Sequence, residues 1–201
     1  MIRAVFFDFG GVLIRDGDNS KREAWEKRLG LSPGELSATV FGSEAAARAT
    51  VGEVTTAEMW QQIGERLQLD DEQRRQLRAD FFRGDNLNAE LVEFARELQP
   101  RYKLAILSNA WSNARRIFSQ VYGLDDIFET MIISAEVGLA KPDPRIYHLA
   151  VERLDVRPEE AIFLDDRLEN VEAAQAVGLR AVHFRDNAQA IAEMRAYLDA
   201  G

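Results

Sequence analysis

Three apolar runs in this chain end on side chains able to bind ions or transfer groups. "VFFD" ends on Asp8, "LAILSN" on Ser108 and Asn109, and "IFLDD" on Asp165 and Asp166. A lysine, Lys141, stands in "GLAKPDPRIY" just ahead of a helical stretch. A carboxylate can ligate a hard cation or attack an electrophilic centre. Taken singly, most of these residues have plainer roles: Asp8, Ser108 and Asn109 suit turn or helix caps, and Lys141 a solvated loop. Asp165 and Asp166 resist that reading, because adjacent acids repel unless a cation or hydrogen bonds offset their charge. Three carboxylates, a hydroxyl and an ammonium at matching strand ends converge on one rim, an arrangement that chance does not readily produce.

That convergence requires strands in the right order. Apolar runs recur at "RAVFFDF", "YKLAILS", "FETMIIS", "AIFLD" and "RAVHF". They are apolar throughout rather than alternating, the pattern of parallel strands covered on both faces. Helical stretches "SNARRIFSQVYG", "PRIYHLAVERL" and "LENVEAAQAVG" lie between the later runs. In the last, Val171, Ala174 and Gly178 recur three and four apart, and the glycine suits a helix end. The alternation predicts a doubly wound α/β sheet, in which ligands bind beyond the carboxyl ends of the strands. Residues 15–87 interrupt it as a helical insertion, each helix preceded by Ser, Thr or Asp, with Trp25, Leu29, Trp60, Ile63, Leu67, Phe81 and Phe82 as its small core. The core domain is then assembled from residues 1–14 and 88–201. The insertion is its cap, either a packing layer or a mobile lid over the rim. Pro100 marks the turn into the second strand.

The 201 residues suffice for one core domain plus such an insertion. The chain has no cysteine, which removes disulfides, thiolate metal sites and cysteine nucleophiles and fits a cytoplasmic location. No apolar run reaches the roughly 20 residues of a membrane span, and the N-terminus lacks the layout of a secretory leader. A formal net charge of −9 repels nucleic acid and anionic lipid. The expected partner is therefore a small molecule, with the protein a monomer or homodimer. An anionic substrate must be met by local positive groups.

Read in order, "FFDFGGVL", "LAILSN", "GLAKPDPRIY" and "IFLDDRLENV" resemble the motifs of the haloacid dehalogenase-like (HAD) superfamily of hydrolases, in the branch with a helical cap after the first strand. The resemblance spans nearly the whole chain. It implies Mg²⁺-dependent hydrolysis of a small phosphorylated metabolite, a sugar phosphate by analogy, through an aspartyl-phosphate on Asp8. Asp8, the Gly10 carbonyl and Asp166 would hold the metal. Lys141 would neutralise the phosphate, and Ser108 would donate to a phosphoryl oxygen. The N–H groups of Phe9 and Gly10 would cradle the phosphate, and Asn109 would position the phosphate loop or the cap. One step behind, Asp165 would orient a metal-bound water or Lys141, and Asn170 would hydrogen-bond Asp166 or the loop backbone.

Many phosphatases of this superfamily carry an acid two residues after the nucleophile, which protonates the leaving alkoxide. Here that position is Gly10. General acid–base help is typically worth about 10²–10⁴-fold. The donor could lie elsewhere, with Asp16 and Asp18 nearby in sequence, or the leaving group could need none. A 2-haloacid dehalogenase also starts from an Asp nucleophile and releases a halide without a proton, but the resemblance gives it no use for the acid pair. A weakly catalytic binder of phospho-ligands is the other alternative. Arg167, His148 and the basic residues Lys21, Arg22, Arg48 and Arg83 read as solvated or structural, His183 as a strand residue, and Trp111 as packing under the cap.

Overall fold

The computed structural model describes residues 1–200. In chain order, β1 (Ala4–Phe7) and β2 (Ile14–Arg15) lead into five helices: α1 (Ser20–Leu29), α2 (Glu35–Phe41), α3 (Glu44–Thr50), α4 (Thr56–Arg66) and α5 (Asp71–Phe81). β3 (Asn86–Leu87), α6 (Ala89–Leu98), β4 (Lys103–Ser108) and the short α7 (Ala114–Arg116) follow. The remainder alternates through β5 (Thr130–Ile133), α8 (Ser134–Val137), α9 (Pro144–Arg153), β6 (Ala161–Asp165), α10 (Leu168–Ala176), β7 (Arg180–His183) and α11 (Asn187–Asp199).

All five apolar runs become strands of one parallel sheet, ordered β5-β4-β1-β6-β7. Alternate side chains explain why the runs are apolar throughout. Val5, Phe7, Ile106 and Leu164 enter the core on one face, while Phe6, Ala105, Leu107 and Phe163 enter the core on the other. The chain moves from β1 outward through β4 to β5, then crosses back to place β6 on the far side of β1. That reversal opens a crevice beyond the carboxyl end of β1.

β2 and β3 form a separate antiparallel ribbon, with Ile14 opposite Leu87 and Arg15 opposite Asn86. Between them the five helices enclose a cluster that includes Trp25, Leu36, Met59, Trp60, Ile63, Leu77 and Phe81. Thr55 and Glu58 form a reciprocal capping box on α4, as do Asp70 and Gln73 on α5. α1 starts from Asn19, whose side chain makes no capping bond, and α2 starts from Gly34 in place of the expected Ser, Thr or Asp. Leu29 and Leu67 pack at the edge of the cluster, and Phe82, expected inside it, is 40% exposed.

The helical layer is tied to the sheet at two places. Trp111, in the loop after β4, packs against the helical cluster. The Thr56 hydroxyl lies 3.0 Å from Ser112 Oγ and donates to Asn113 Oδ1 at 3.0 Å. On the other side, a Cβ built on Gly52 would stand 2.2 Å from the Ala135 carbonyl oxygen.

Where the sequence predicts one helix over "SNARRIFSQVYG", α7 gives way to a π turn at Ile117–Val121. Its widened bond runs from the Tyr122 N–H to the Ile117 carbonyl at 3.2 Å. Phe118, on this turn, stacks on Phe9 with centroids 3.8 Å apart. α3, α6, α8 and α11 fall outside the expected pattern. Among the described residues no helix is long and apolar enough to cross a membrane.

Gly52 and Gly34 both have positive φ, +75° and +82°, but only Gly52 faces a close neighbour. Gly34→Ala should cost about 1 kcal/mol in urea unfolding, from backbone strain alone. Gly52→Ala should cost about 2–3 kcal/mol, because the carbonyl contact is added. Equal losses would mean that the helical layer does not press on the Ala135 loop.

Candidate active site

Asp8 stands one residue past β1 and is 7% exposed; its N–H donates to the Leu164 carbonyl of β6 at 2.8 Å. The buried Lys141 ammonium reaches it across the crevice. Lys141 Nζ is 2.8 Å from Asp8 Oδ1 and 2.6 Å from Asp165 Oδ2, and donates to the Leu107 carbonyl at 2.9 Å. One cation thus joins the ends of β1, β6 and β4. An ammonium without such partners would be costly to bury.

The Asp165 carboxylate is fully buried and held from several sides. The Arg167 N–H donates to Oδ1 at 2.8 Å, and Asn170 Nδ2 donates to Oδ1 and Oδ2 at 2.9 and 3.1 Å. The expected partner of Asn170 was Asp166 or the loop backbone. The structure pairs it with Asp165, because the start of α10 turns its side chain back toward the end of β6. Behind it, the Tyr147 hydroxyl donates to the Asn170 carbonyl at 2.9 Å.

Asp166 faces the crevice. One carboxylate oxygen from each of Asp8, Asp165 and Asp166 lies within 4.8 Å of the others. Its carboxylate rests where a Gly11 side chain would be: a Cβ on Gly11 would sit 2.2 Å from Asp166 Oδ2. Gly11 also has φ +77°, so this glycine both makes the turn after Asp8 and clears the space Asp166 occupies. The Asp166 carbonyl lies 3.0 Å from His183 Nε2 at the end of β7.

Asn109 clamps the lysine loop. Its Nδ2 donates to the Lys141 carbonyl, and the Lys141 N–H donates to its Oδ1, both at 2.8 Å. Ser108 closes β4 and is 3% exposed. The Phe9 N–H, expected to cradle phosphate, donates to Asp8 Oδ1 at 2.7 Å. Both this bond and the Lys141 contact fall on Oδ1, which leaves Oδ2 without a hydrogen bond among the described residues. A Cβ on Gly10 would meet nothing within 4 Å, so no neighbouring side chain fills the place of the absent acid.

The electrostatics follow from this crowding. Burial pushes the Asp8 carboxyl up to about 7, against the pull of the Lys141 ammonium and with the Asp165 charge adding to the rise. Lost hydration also raises Asp166, whose carboxyl leans on the Gly11 turn although the residue as a whole is exposed, and the Asp165 charge raises it further. Three carboxylates meet beside one ammonium that contacts two of them, and every ligand atom they offer is a hard oxygen. That donor set fits Mg²⁺.

Other candidates do not reach the crevice chemistry. Asp16 pairs with Arg22 at 2.7 Å. The Asp18 carboxyl is held below its usual range by the Ser20 N–H and hydroxyl, so it carries no proton to donate near neutrality. Arg167 pairs with Glu169, and His148 is exposed on α9. Sequence reasoning passed over Ser134, whose hydroxyl accepts from the Ala110 N–H at 2.9 Å and donates to the Ala110 carbonyl at 3.2 Å, pinning the loop after Ser108. Its signal was available, as "FETMIIS" also ends on a polar residue. Gly11 had one too, in the Gly-Gly pair directly after the Asp8 strand end.

This chain is similar to known proteins in sequence and in fold. Sesquiterpene phosphatase astK of Aspergillus oryzae is 27% identical over 197 residues, covering 96% of this chain and 95% of that protein. D-ribitol-5-phosphate phosphatase of Bacteroides thetaiotaomicron is 25% identical over 187 residues, 89% of each. The HAD family enzyme bt-2542 of Bacteroides thetaiotaomicron, solved in complex with magnesium and inorganic phosphate, superposes with a TM-score of 0.78 at 22% identity, over 92% of this chain and 95% of that one. The family model for haloacid dehalogenase-like hydrolases matches residues 2–178. A match of that extent places this chain in the haloacid dehalogenase-like hydrolase family.

Proposed function

We propose that the protein is a Mg²⁺-dependent phosphatase that hydrolyses a small phosphate monoester through an aspartyl-phosphate on Asp8. The observation that carries this reading is the meeting of three carboxylates within 4.8 Å, two of them bound to the buried Lys141 ammonium. Two relatives of nearly equal length bear phosphatase names, one for a sesquiterpene and one for a polyol phosphate, so they support the reaction without selecting a leaving group.

Asp8 and Asp166 would hold the ion through their carboxylates, and Gly10 through its carbonyl. When bound, Mg²⁺ neutralises phosphoryl oxygens that would otherwise be repelled by the acidic rim. The chain's own groups divide the remaining work. Lys141 and Phe9 fix Asp8 by Oδ1, so Oδ2 is the oxygen that meets phosphorus. Lys141 also offsets charge on the transferred group, and Ser108 donates to it. Asp165 holds Lys141 in place, Asn170 holds Asp165, and Asn109 holds the backbone of Lys141. The helical layer would close over the crevice and exclude water, which strengthens these charges. A dehalogenation reading leaves the Asp166 carboxylate, and the glycine turn that admits it, without a task.

Two measurements test this. Asp8→Asn should lower Mg²⁺-dependent phosphate release from acetyl phosphate by at least about 10³-fold, and chelation of the ion should do the same to the native protein. Chelator-insensitive turnover would refute the metal assignment. Gly11→Ala should displace the Asp166 carboxylate and weaken Mg²⁺ binding by about tenfold in isothermal titration calorimetry. Unaltered affinity would show that Asp166 does not hold the ion.

A further inference from the structure

The helical layer, where it meets the loop after Asn109, carries a feature that phosphate chemistry does not use. Phe41 at the end of α2 is 55% exposed, and Phe82 just past α5 is 40% exposed. With Trp111 they form a closed triangle of rings. Centroids are 5.9 Å apart for Phe41–Trp111, 6.0 Å for Phe82–Trp111 and 6.3 Å for Phe41–Phe82, the first pair stacked at 29°. Buried Phe81 and Trp60 support it from within, with Phe81 5.5 Å from Phe41 and Trp60 6.3 Å from Trp111. Three separate elements therefore build a braced aromatic platform and leave part of it in water. Adjoining exposed rings of this kind offer a flat face on which an apolar group can stack.

The platform is joined to the loop that holds the lysine. Trp111 lies two residues after Asn109, whose side chain clamps Lys141, so their Cα atoms are at most about 7 Å apart. A second observation concerns the reaction itself. No acid stands at Gly10, the space there is open, and Asp16 and Asp18 are engaged elsewhere. A leaving oxygen that departs without a donated proton fits this gap. An alkoxide does this poorly. A phenoxide, whose conjugate acid has a pKa near about 10, does it readily.

We propose that the substrate is an aryl phosphate monoester, its ring lying on Phe41, Phe82 and Trp111 and its phenolic oxygen leaving unprotonated. This rests on the phosphatase reading above and adds the substrate class. A flat apolar body and a weakly basic leaving oxygen are both needed: a sugar phosphate lacks the first, a prenyl phosphate lacks the second, and acetyl phosphate has the second alone. In the first step Asp8 bonds to phosphorus and the phosphorus–aryl oxygen bond breaks, its electron pair staying on the phenoxide, which takes a proton from bulk water. Water then attacks phosphorus, the bond to Asp8 breaks, the carboxylate is restored, and the water's proton leaves with inorganic phosphate or enters solvent.

The test measures kcat/KM for the full chain with Mg²⁺ on 1-naphthyl, glycerol 3-, geranyl and acetyl phosphates. The naphthyl ester should exceed the glycerol and geranyl esters by at least about tenfold. Phe41→Ala and Phe82→Ala should each lower the naphthyl-to-acetyl ratio by about three- to tenfold, mainly through KM. Because it is a ratio within one preparation, it is insensitive to the folded fraction. Gly10→Asp should raise glycerol 3-phosphate turnover by about 10–10²-fold and naphthyl turnover much less. Geranyl or glycerol phosphate outrunning the naphthyl ester, or a ratio unmoved by both truncations, would overturn the proposal while acetyl phosphate turnover keeps the phosphatase reading intact. Failure on acetyl phosphate as well would remove both.

Discussion

One buried ammonium holds this site together. Lys141 contacts Asp8 beyond β1, Asp165 at the end of β6 and the Leu107 carbonyl of β4, so a single charge spans three strands. Burying it is favourable only because carboxylates meet it, and burying them is favourable only because it is there. The rest of the local structure serves that exchange. Asn109 fixes the Lys141 backbone, while Asn170 and the Arg167 N–H fix Asp165. The exchange is incomplete at Asp8, whose carboxyl burial lifts to about 7 against the pull of Lys141.

Much of this was legible in the sequence because strands announce themselves twice. An apolar run with no alternation reports a strand buried on both faces, and a polar residue closing it reports the rim. Asp8, Ser108, Asp165 and Asp166 carried both signals, and the structure brings all four to one end of the sheet. What the sequence hid depends on contacts made by absence or by backbone. Nothing in "GG" says that one glycine clears space for Asp166 while its neighbour faces open solvent. Likewise, the choice of Asp165 over Asp166 as the partner of Asn170 is set by how α10 leaves β6, which no residue pattern encodes. The helix over 112–123 failed as a regular α-helix because a π turn carries Phe118 against Phe9.

The helical layer shows a different limit. Its apolar residues were read as one class, yet they divide into an interior set and an outward set. Phe81 is buried at 1% and Phe82, next in sequence, stands 40% exposed. Hydrophobicity cannot separate neighbours of identical type. Only the end of α5, where the chain leaves the helix, turns one ring inward and the next outward. The loop from Asn109 to Asn113 joins this layer to the reaction centre, since it clamps Lys141 at one end and binds Thr56 at the other.

The small ribbon of β2 and β3 has a bearing on how the chain finds this fold. β1 is made first and lies in the middle of the sheet, yet its neighbours β4 and β6 are far along the chain. Such non-local pairing slows folding, because closure entropy is lost before contacts reward it. Once Ile14 meets Leu87 and Arg15 meets Asn86, the intervening helices become a side branch. The path from β1 to β4 then runs through residues 8–13 before the ribbon and 88–102 after it, α6 among them, instead of through the whole insertion. A two-residue pairing thereby acts as a topological shortcut, letting the helical layer condense on its own while the central strand waits for its partners.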